Sequence, residues 1–155
     1  MAATFDIQTN LSRHLVAATL GGFFELDDVA AFSRAMHAAY GGMRRASGPP
    51  LVLIDCAQIQ IQSQVVVTAF QTLAQEPALR SRRLALVVGM SLAQGQVHRV
   101  CPEDREDHGY FRDRASAEAW LLTPPVNAAR TASRYHRAPA SPRSDDRGYT
   151  DPNGA

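Results

Sequence analysis

Lysine is absent from this chain: all 16 basic residues are arginine. Set against 15 acidic residues they leave a net charge of +1, so no large field draws the chain to nucleic acid or to an anionic membrane. An all-arginine set fits a GC-rich coding genome and would also serve anion recognition. Cysteine is scarce. Cys56 and Cys101 are too few for a disulfide framework and suit a reducing compartment, where they stay free thiols. No run approaches the ~18 apolar residues that crossing a bilayer requires. MAATFDIQTN lacks the basic start and apolar core of a signal peptide, so a cytoplasmic location is the expectation. There is no Gly-x-Gly-x-x-Gly, no Walker-type loop, no CxxC and no HExxH. Neither a nucleotide nor a metal has a motif to rest on, and no cofactor is expected.

What is present is an ordinary globular composition, 45% hydrophobic and 20% charged over 155 residues, with room for one domain. The composition changes at Pro124 and Pro125. From Val126 to Ala155 there are five Arg, three Asp, scattered Pro, Ser and Gly, and almost no large aliphatic residue. Such a stretch buries too little apolar area to offset its conformational entropy. The expected organisation is a folded domain over 1–122 and a disordered Arg/Pro/Ser-rich tail over 123–155.

Within the domain, residues 3–8 and 14–20 are rich in β-formers and read as an antiparallel hairpin around Thr9 to Arg13. Gly21 and Gly22 allow a turn or bulge before Phe23 and Phe24. A helix follows, capped by Asp27 or Asp28, with Val29, Phe32, Met36, Tyr40 and Met43 on one face. Gly41 and Gly42 weaken its last turn, and Ser47-Gly48-Pro49-Pro50 stops it. LVLID (51–55) reads as a strand covered on both faces. Residues 64–75 form a second helix with Val66, Phe70 and Leu73 buried, ended by Pro77. RLALVVG (83–89) is another buried strand, 91–100 a third helix, and 108–112 an edge strand. Asp113 caps a last helix in which Ala115, Ala119 and Leu122 share a face, extended by Trp120 and Leu121. The order β-β-α-β-α-β-α-β-α predicts an α/β fold: a mainly parallel sheet of four or five strands, the hairpin at one side, and about four helices mostly on one face.

Four stretches carry a family resemblance over residues 3–122: the hairpin running into GFFELDDVAAF, then LVLIDCAQIQIQS, LALVVGMSLAQ and YFRDRASAEAWLL. Together they resemble the STAS family and its bacterial SpoIIAA-like relatives, the anti-sigma-factor antagonists. The resemblance implies a non-enzymatic regulatory domain whose partner is a protein of kinase or sigma-regulator type. It also implies a serine or threonine, phosphorylated by the partner kinase, at the start of the second helix. Asp55 matches the family's aspartate, and Gln62-Ser63-Gln64-Val65 stands where Asp-Ser-Ser-Gly is usual.

The residues themselves support Ser63 as an N-cap, with or without a switch. Its oxygen is placed to accept from backbone N–H groups two or three residues on, and a phosphate there would meet the positive end of the helix dipole. Asp55, Gln62, Ser63 and Gln64 are therefore the candidate docking and modification residues, with Val65 and Val67 adding apolar contact if they face outward. Phe23 and Phe24 point to opposite faces of a strand, so one is a candidate for a ligand or dimer surface, a homodimer being one form of partner.

Two other chemistries have partial support. An apolar pocket near Phe23, Phe24, Phe32, Met36 and Phe70 would make the chain a binding module for a small apolar ligand or, by resemblance, a nucleotide; plain core is the alternative. Gly89-Met90-Ser91-Leu92-Ala93 resembles the nucleophile elbow of serine hydrolases, with Ala for the last Gly. Asp104 and His108 supply the acid-then-His order but flank one charged loop, so the expectation for Ser91 is an N-cap. His98 and Cys101, with Cys56 or His108 nearby, fall short of a metal site, and none is expected. The carboxylates between Pro102 and Asp107 read as a solvated turn. His14 and His37 read as structural or exposed.

Overall fold

The computed structural model describes residues 1–102 and 105–123, the side chains of 44–47 excepted. The expected tail, apart from its first residue, and the loop acids Glu103 and Asp104 lie outside the described residues. The elements are β1 (Thr4–Asn10), β2 (Leu15–Gly22), α1 (Leu26–Ser47), β3 (Leu51–Ile59), α2 (Gln64–Ala74), a 3₁₀ turn (Pro77–Leu79), β4 (Arg83–Val87), α3 (Ala93–Val100), β5 (His108–Phe111) and α4 (Arg114–Leu122). They form a five-stranded sheet in sequential order, β1-β2-β3-β4-β5. Only β1 and β2 run antiparallel; β2 to β5 are parallel, each joined to the next by a helix.

The continuous apolar runs of β3 and β4 are explained by helices on both faces. Val52, Cys56, Leu84 and Leu86 point to one side, where α1, α2 and α3 lie. Leu51, Leu53, Ala85 and Val87 point to the other, where α4 packs. Each large side chain so buried contributes about 1.5–3 kcal/mol. The expected face of α1 is the buried one: Val29, Phe32, Met36, Tyr40 and Met43 are all in the core. Edge-to-face aromatic pairs tie the layers together, with Phe5 to Phe32 at 5.5 Å and Phe24 to Phe70 at 5.4 Å.

Three local expectations are corrected. The α1 cap lies earlier than Asp27 or Asp28: Glu25 is the N-cap, and the Asp28 carboxylate reaches back to accept from its N–H at 2.8 Å. Asp28 thus serves the helix end from inside the first turn. Ser91 is no N-cap, because α3 opens two residues later at Ala93 behind Leu92, and Ser91 contributes only its carbonyl, to Gln94 N–H at 3.0 Å. On α4 the buried pair is Ala117 and Leu121, with Ala115, Ala119 and Leu122 exposed. The small Ala117 lets the helix approach the sheet, and Trp120 packs beside it on Phe111 with the Arg83 guanidinium 3.8 Å over its ring. Asp113 caps α4 as expected, accepting from Ser116 N–H at 2.8 Å.

The Gly21-Gly22 step is the expected irregularity, for the β2–β3 register shifts between Thr19 and Gly21. Gly22 has φ of 81°, and a Cβ there would lie 2.1 Å from the carbonyl oxygen of Ala2. Only glycine lets the N-terminal segment lie against the end of β2, where Phe23 N–H donates to Met1 O at 3.0 Å. His14 is structural, its Nε2 2.9 Å from Gly48 O, and exposed His37 meets the Glu76 carboxylate at 2.8 Å. No helix among the described residues is long and apolar enough to cross a membrane.

Candidate functional site

Because β2, β3 and β4 are parallel, the turns that follow them emerge on one edge of the sheet, the position where ligands of open α/β folds are commonly met. Phe23 and Leu26 follow β2, Ile61 and Val65 follow β3, and Met90 and Leu92 follow β4. These are six of the nine large apolar side chains well exposed among the described residues, and Met1, bonded to Phe23, is a seventh. Leu11, in the β1–β2 turn, lies at the other end of the strands.

Ser63 sits among them as the exposed N-cap of α2, its Oγ accepting from Val66 N–H at 3.4 Å. Gln64 is exposed, its amide 3.4 Å from the Thr68 hydroxyl. The first turn of α2 holds no acidic residue and its last turn no basic one. Ser63 therefore presents its hydroxyl among apolar side chains with no charged residue in its own helix turn, the nearest acids of this rim being Glu25, Asp27 and Asp28 at the start of α1.

Gln62 holds this rim in place. It is buried, and its side-chain oxygen accepts from Phe24 N–H at 2.7 Å while its amide donates to Gly22 O at 3.0 Å and Gln60 O at 2.6 Å. Its own backbone is clasped by Gln96 of α3, which accepts from Gln62 N–H at 2.6 Å and donates to Gln62 O at 2.8 Å. One side chain thus joins the exits of β2 and β3, and one clasp fixes both to α3. This turns Gln62 inward, away from any partner. A polar residue in a polar stretch gives no sequence signal of such burial.

No protein-family model and no curated protein matches the chain. Solved structures do. An uncharacterized DUF3478-family protein from Shewanella loihica PV-4, described as having a SpoIIAA-like fold, superposes with a TM-score of 0.59 at 19% identity, over 77% of this chain and 94% of that one. An anti-sigma factor antagonist from Mycobacterium paratuberculosis gives 0.50 at 10% identity, over 77% and 93%. This chain has the SpoIIAA-like fold.

Within the SpoIIAA-like fold the other sequence candidates separate. Asp55 pairs across the sheet with Thr19 and Val87, in a row facing α4, and accepts from Ala57 N–H at 3.0 Å. It belongs to the α4 side, whereas Ser63 opens a helix on the other face. Val65 is exposed but Val67 is buried, a correction that follows from the 100° turn per residue: Val66 and Val67 both face the sheet and only Val65 looks out. Of the two adjacent phenylalanines, Phe23 is the outward one and Phe24 lies fully in the core.

The hydrolase constellation is not assembled. Ser91 lies beyond the end of β4, while His108 pairs with Leu84 at its start, so the length of the strand, roughly 10 Å, separates them. Asp104 is outside the described residues. His98 stacks on the Tyr110 ring at 4.2 Å, and among the described residues no three His, Cys, Asp or Glu gather as a metal site.

Both cysteines are buried free thiols. Burial pushes Cys101 up to about 11, against a smaller lowering by Arg105. Burial pushes Cys56 higher still, with the charges of Cys101 and Asp55 adding to it. Since the folded values exceed the ordinary thiol value of 9.0, the folded state holds these protons more tightly. Their stabilisation is complete below that value and is lost as pH rises through it toward the folded values. Urea midpoints are expected to fall on the alkaline side of the thiol value, and a Cys56→Ala, Cys101→Ala variant to flatten that limb.

Proposed function

We propose that this chain is a non-catalytic regulatory domain that docks a partner protein on the edge formed by the turns after β2, β3 and β4. The observation that carries this reading is the concentration of exposed apolar side chains there: Phe23, Leu26, Ile61, Val65, Met90 and Leu92. Monomeric proteins keep contiguous apolar patches small, and larger ones mark interaction sites. The anti-sigma factor antagonist that shares the fold supports a partner of the regulator type. That partner presents an apolar surface to match these side chains, and the exposed carboxylates of Glu25 and Asp27 beside Leu26 disfavour an acidic one.

Ser63 is the switch in this proposal, and the direction of the switch follows from its surroundings. A phosphate brings nearly two negative charges, which the N-terminus of α2 stabilises in the free protein. Docking an apolar partner over that phosphate would strip its water with no counter-charge supplied by this rim. Phosphorylation therefore releases the partner.

A photo-crosslinking residue placed at Val65 tests the edge against the same residue at Leu11, at the other end of the sheet. The expected result is one regulator protein captured from Val65 alone, and lost on Ser63→Asp with a melting temperature nearly unchanged. Equal capture from both positions, or capture only of a second copy of this chain, overturns the proposal. Undiminished capture by Ser63→Asp removes the switch.

A further inference from the structure

Protein interiors are normally packed to crystal density, yet behind α2 and α3 this core keeps a cavity of about 500 Å³. Its walls are the sheet face and the inner faces of the three helices, with Leu20, Met36, Phe70, Leu86 and Val97 among the apolar side chains lining it. The size falls within the usual range of small-molecule sites, roughly 300–1,000 Å³. An apolar space of this kind stays poorly hydrated, and an apolar occupant restores the dispersion contacts its walls lack.

Both ends of the cavity are polar: Gln60, Gln62 and Gln96 line the end toward the docking edge, and the far end carries charge. Arg80, after the 3₁₀ turn, and Arg105 and His108, at the approach to β5, line it there, at the edge of the sheet away from Ser63. The Arg105 guanidinium is forked onto Asp107 at 3.1 and 3.0 Å, and the Glu76 carboxylate on this rim is held by His37. Arg80 is exposed and makes no ion pair among the described residues, which leaves its charge uncompensated. The side chain of His108 is only 10% exposed; its Nε2 lies 3.9 Å from the Asp107 carboxylate already engaged by Arg105, and its Nδ1 is buried without a hydrogen-bond partner. An orphaned buried polar atom carries a desolvation cost that a ligand atom would relieve.

We propose that this cavity binds a small amphiphile, an aliphatic chain lying against the sheet and ending in a carboxylate held at Arg80 and His108. The apolar walls set the body of the ligand, and the Arg80 guanidinium with the unsatisfied Nδ1 of His108 sets its anionic head. The charged end of this site lies at the opposite end of the sheet from the docking edge, whose supports Gln62 and Gln96 line the cavity's other end; the head-group assignment does not rest on the docking proposal.

Decanoate and decan-1-ol, which share a chain and differ in the head, test it by calorimetric titration of the full chain. The expected result is decanoate bound about tenfold more tightly than the alcohol, the worth of a charge-assisted contact. Arg80→Gln, on an exposed residue, is expected to erase that preference and leave the alcohol unchanged. Val97→Trp, which fills the cavity, is expected to weaken both at least about tenfold. Should that variant fail to fold, methyl NMR of the unaltered chain decides the location, with decanoate shifting Leu86 and Val97 but not Leu121 on the far face. Absence of binding by both compounds, equal affinity for the two heads, or shifts confined to Leu121 overturns the proposal.

Discussion

Phe24→Ala is expected to destabilise the domain by about 4 kcal/mol, while Phe23→Ala, one residue earlier, changes stability by no more than about 0.5 kcal/mol. Phe24 is fully buried and packs edge-to-face on Phe70 of α2, so its removal opens a hole where β2, α1 and α2 meet. Phe23 has 42% of its surface in water and loses little when cut back. For a domain of this size the first variant should melt roughly 10–20 °C lower and the second within a few degrees of the parent. The binding readout inverts: Phe23→Ala should weaken capture at the docking edge although the protein remains as stable as before. Equal loss of stability in the two variants would show that the β2–α1 junction is not packed as described.

Gln62→Ala should be nearly as costly, at about 3 kcal/mol in urea unfolding. The substitution removes three side-chain hydrogen bonds and strands Phe24 N–H with no acceptor and Gly22 O without its amide donor. Each buried group left unsatisfied costs about 1–3 kcal/mol. Gly22 O keeps its bond from Gln60 N–H, which holds the estimate near the middle of the range. Gln96→Ala should cost less, because it breaks two bonds at a half-buried position. Gln62→Glu separates geometry from chemistry: the carboxylate still accepts from Phe24 N–H but faces the carbonyls of Gly22 and Gln60 with no proton to donate. It should therefore destabilise the domain even though the shape is kept.

The fold was largely legible because its signals are local and periodic. LVLID and RLALVV are apolar without interruption, which only a doubly covered strand needs, and α1 repeats its buried residues at three- and four-residue steps over five positions. Ser63 was legible as a cap because a short polar side chain before an apolar turn favours that use, although the same reading fails at Ser91, where the helix opens two residues later. Where two answers differ by one helical step, sequence could not choose. Val65 and Val67 are chemically alike, and the contact with the sheet decides that the second is buried. On α4, burial passes to Ala117 because the space above β3 and β4 suits a small residue, which is a property of the neighbours. The two features with the widest reach, the Gln62–Gln96 clasp and the cavity, join residues 34 positions apart or more than three elements at once. The clasp has no local signal, whereas the expected apolar pocket is met in part: Phe32, Met36 and Phe70 line the cavity and Phe23 and Phe24 do not.

The attachment of Met1 has a practical corollary. Its carbonyl is bonded to Phe23, and Ala2 bridges to the same residue, so the chain start is stitched beside the surface assigned to the partner. Any affinity handle fused ahead of Met1 would emerge there and shade it. A protein prepared that way would look intact in a melting curve yet score as a poor binder, and a handle inserted in the β1–β2 turn, at the far end of the strands, would restore the interaction.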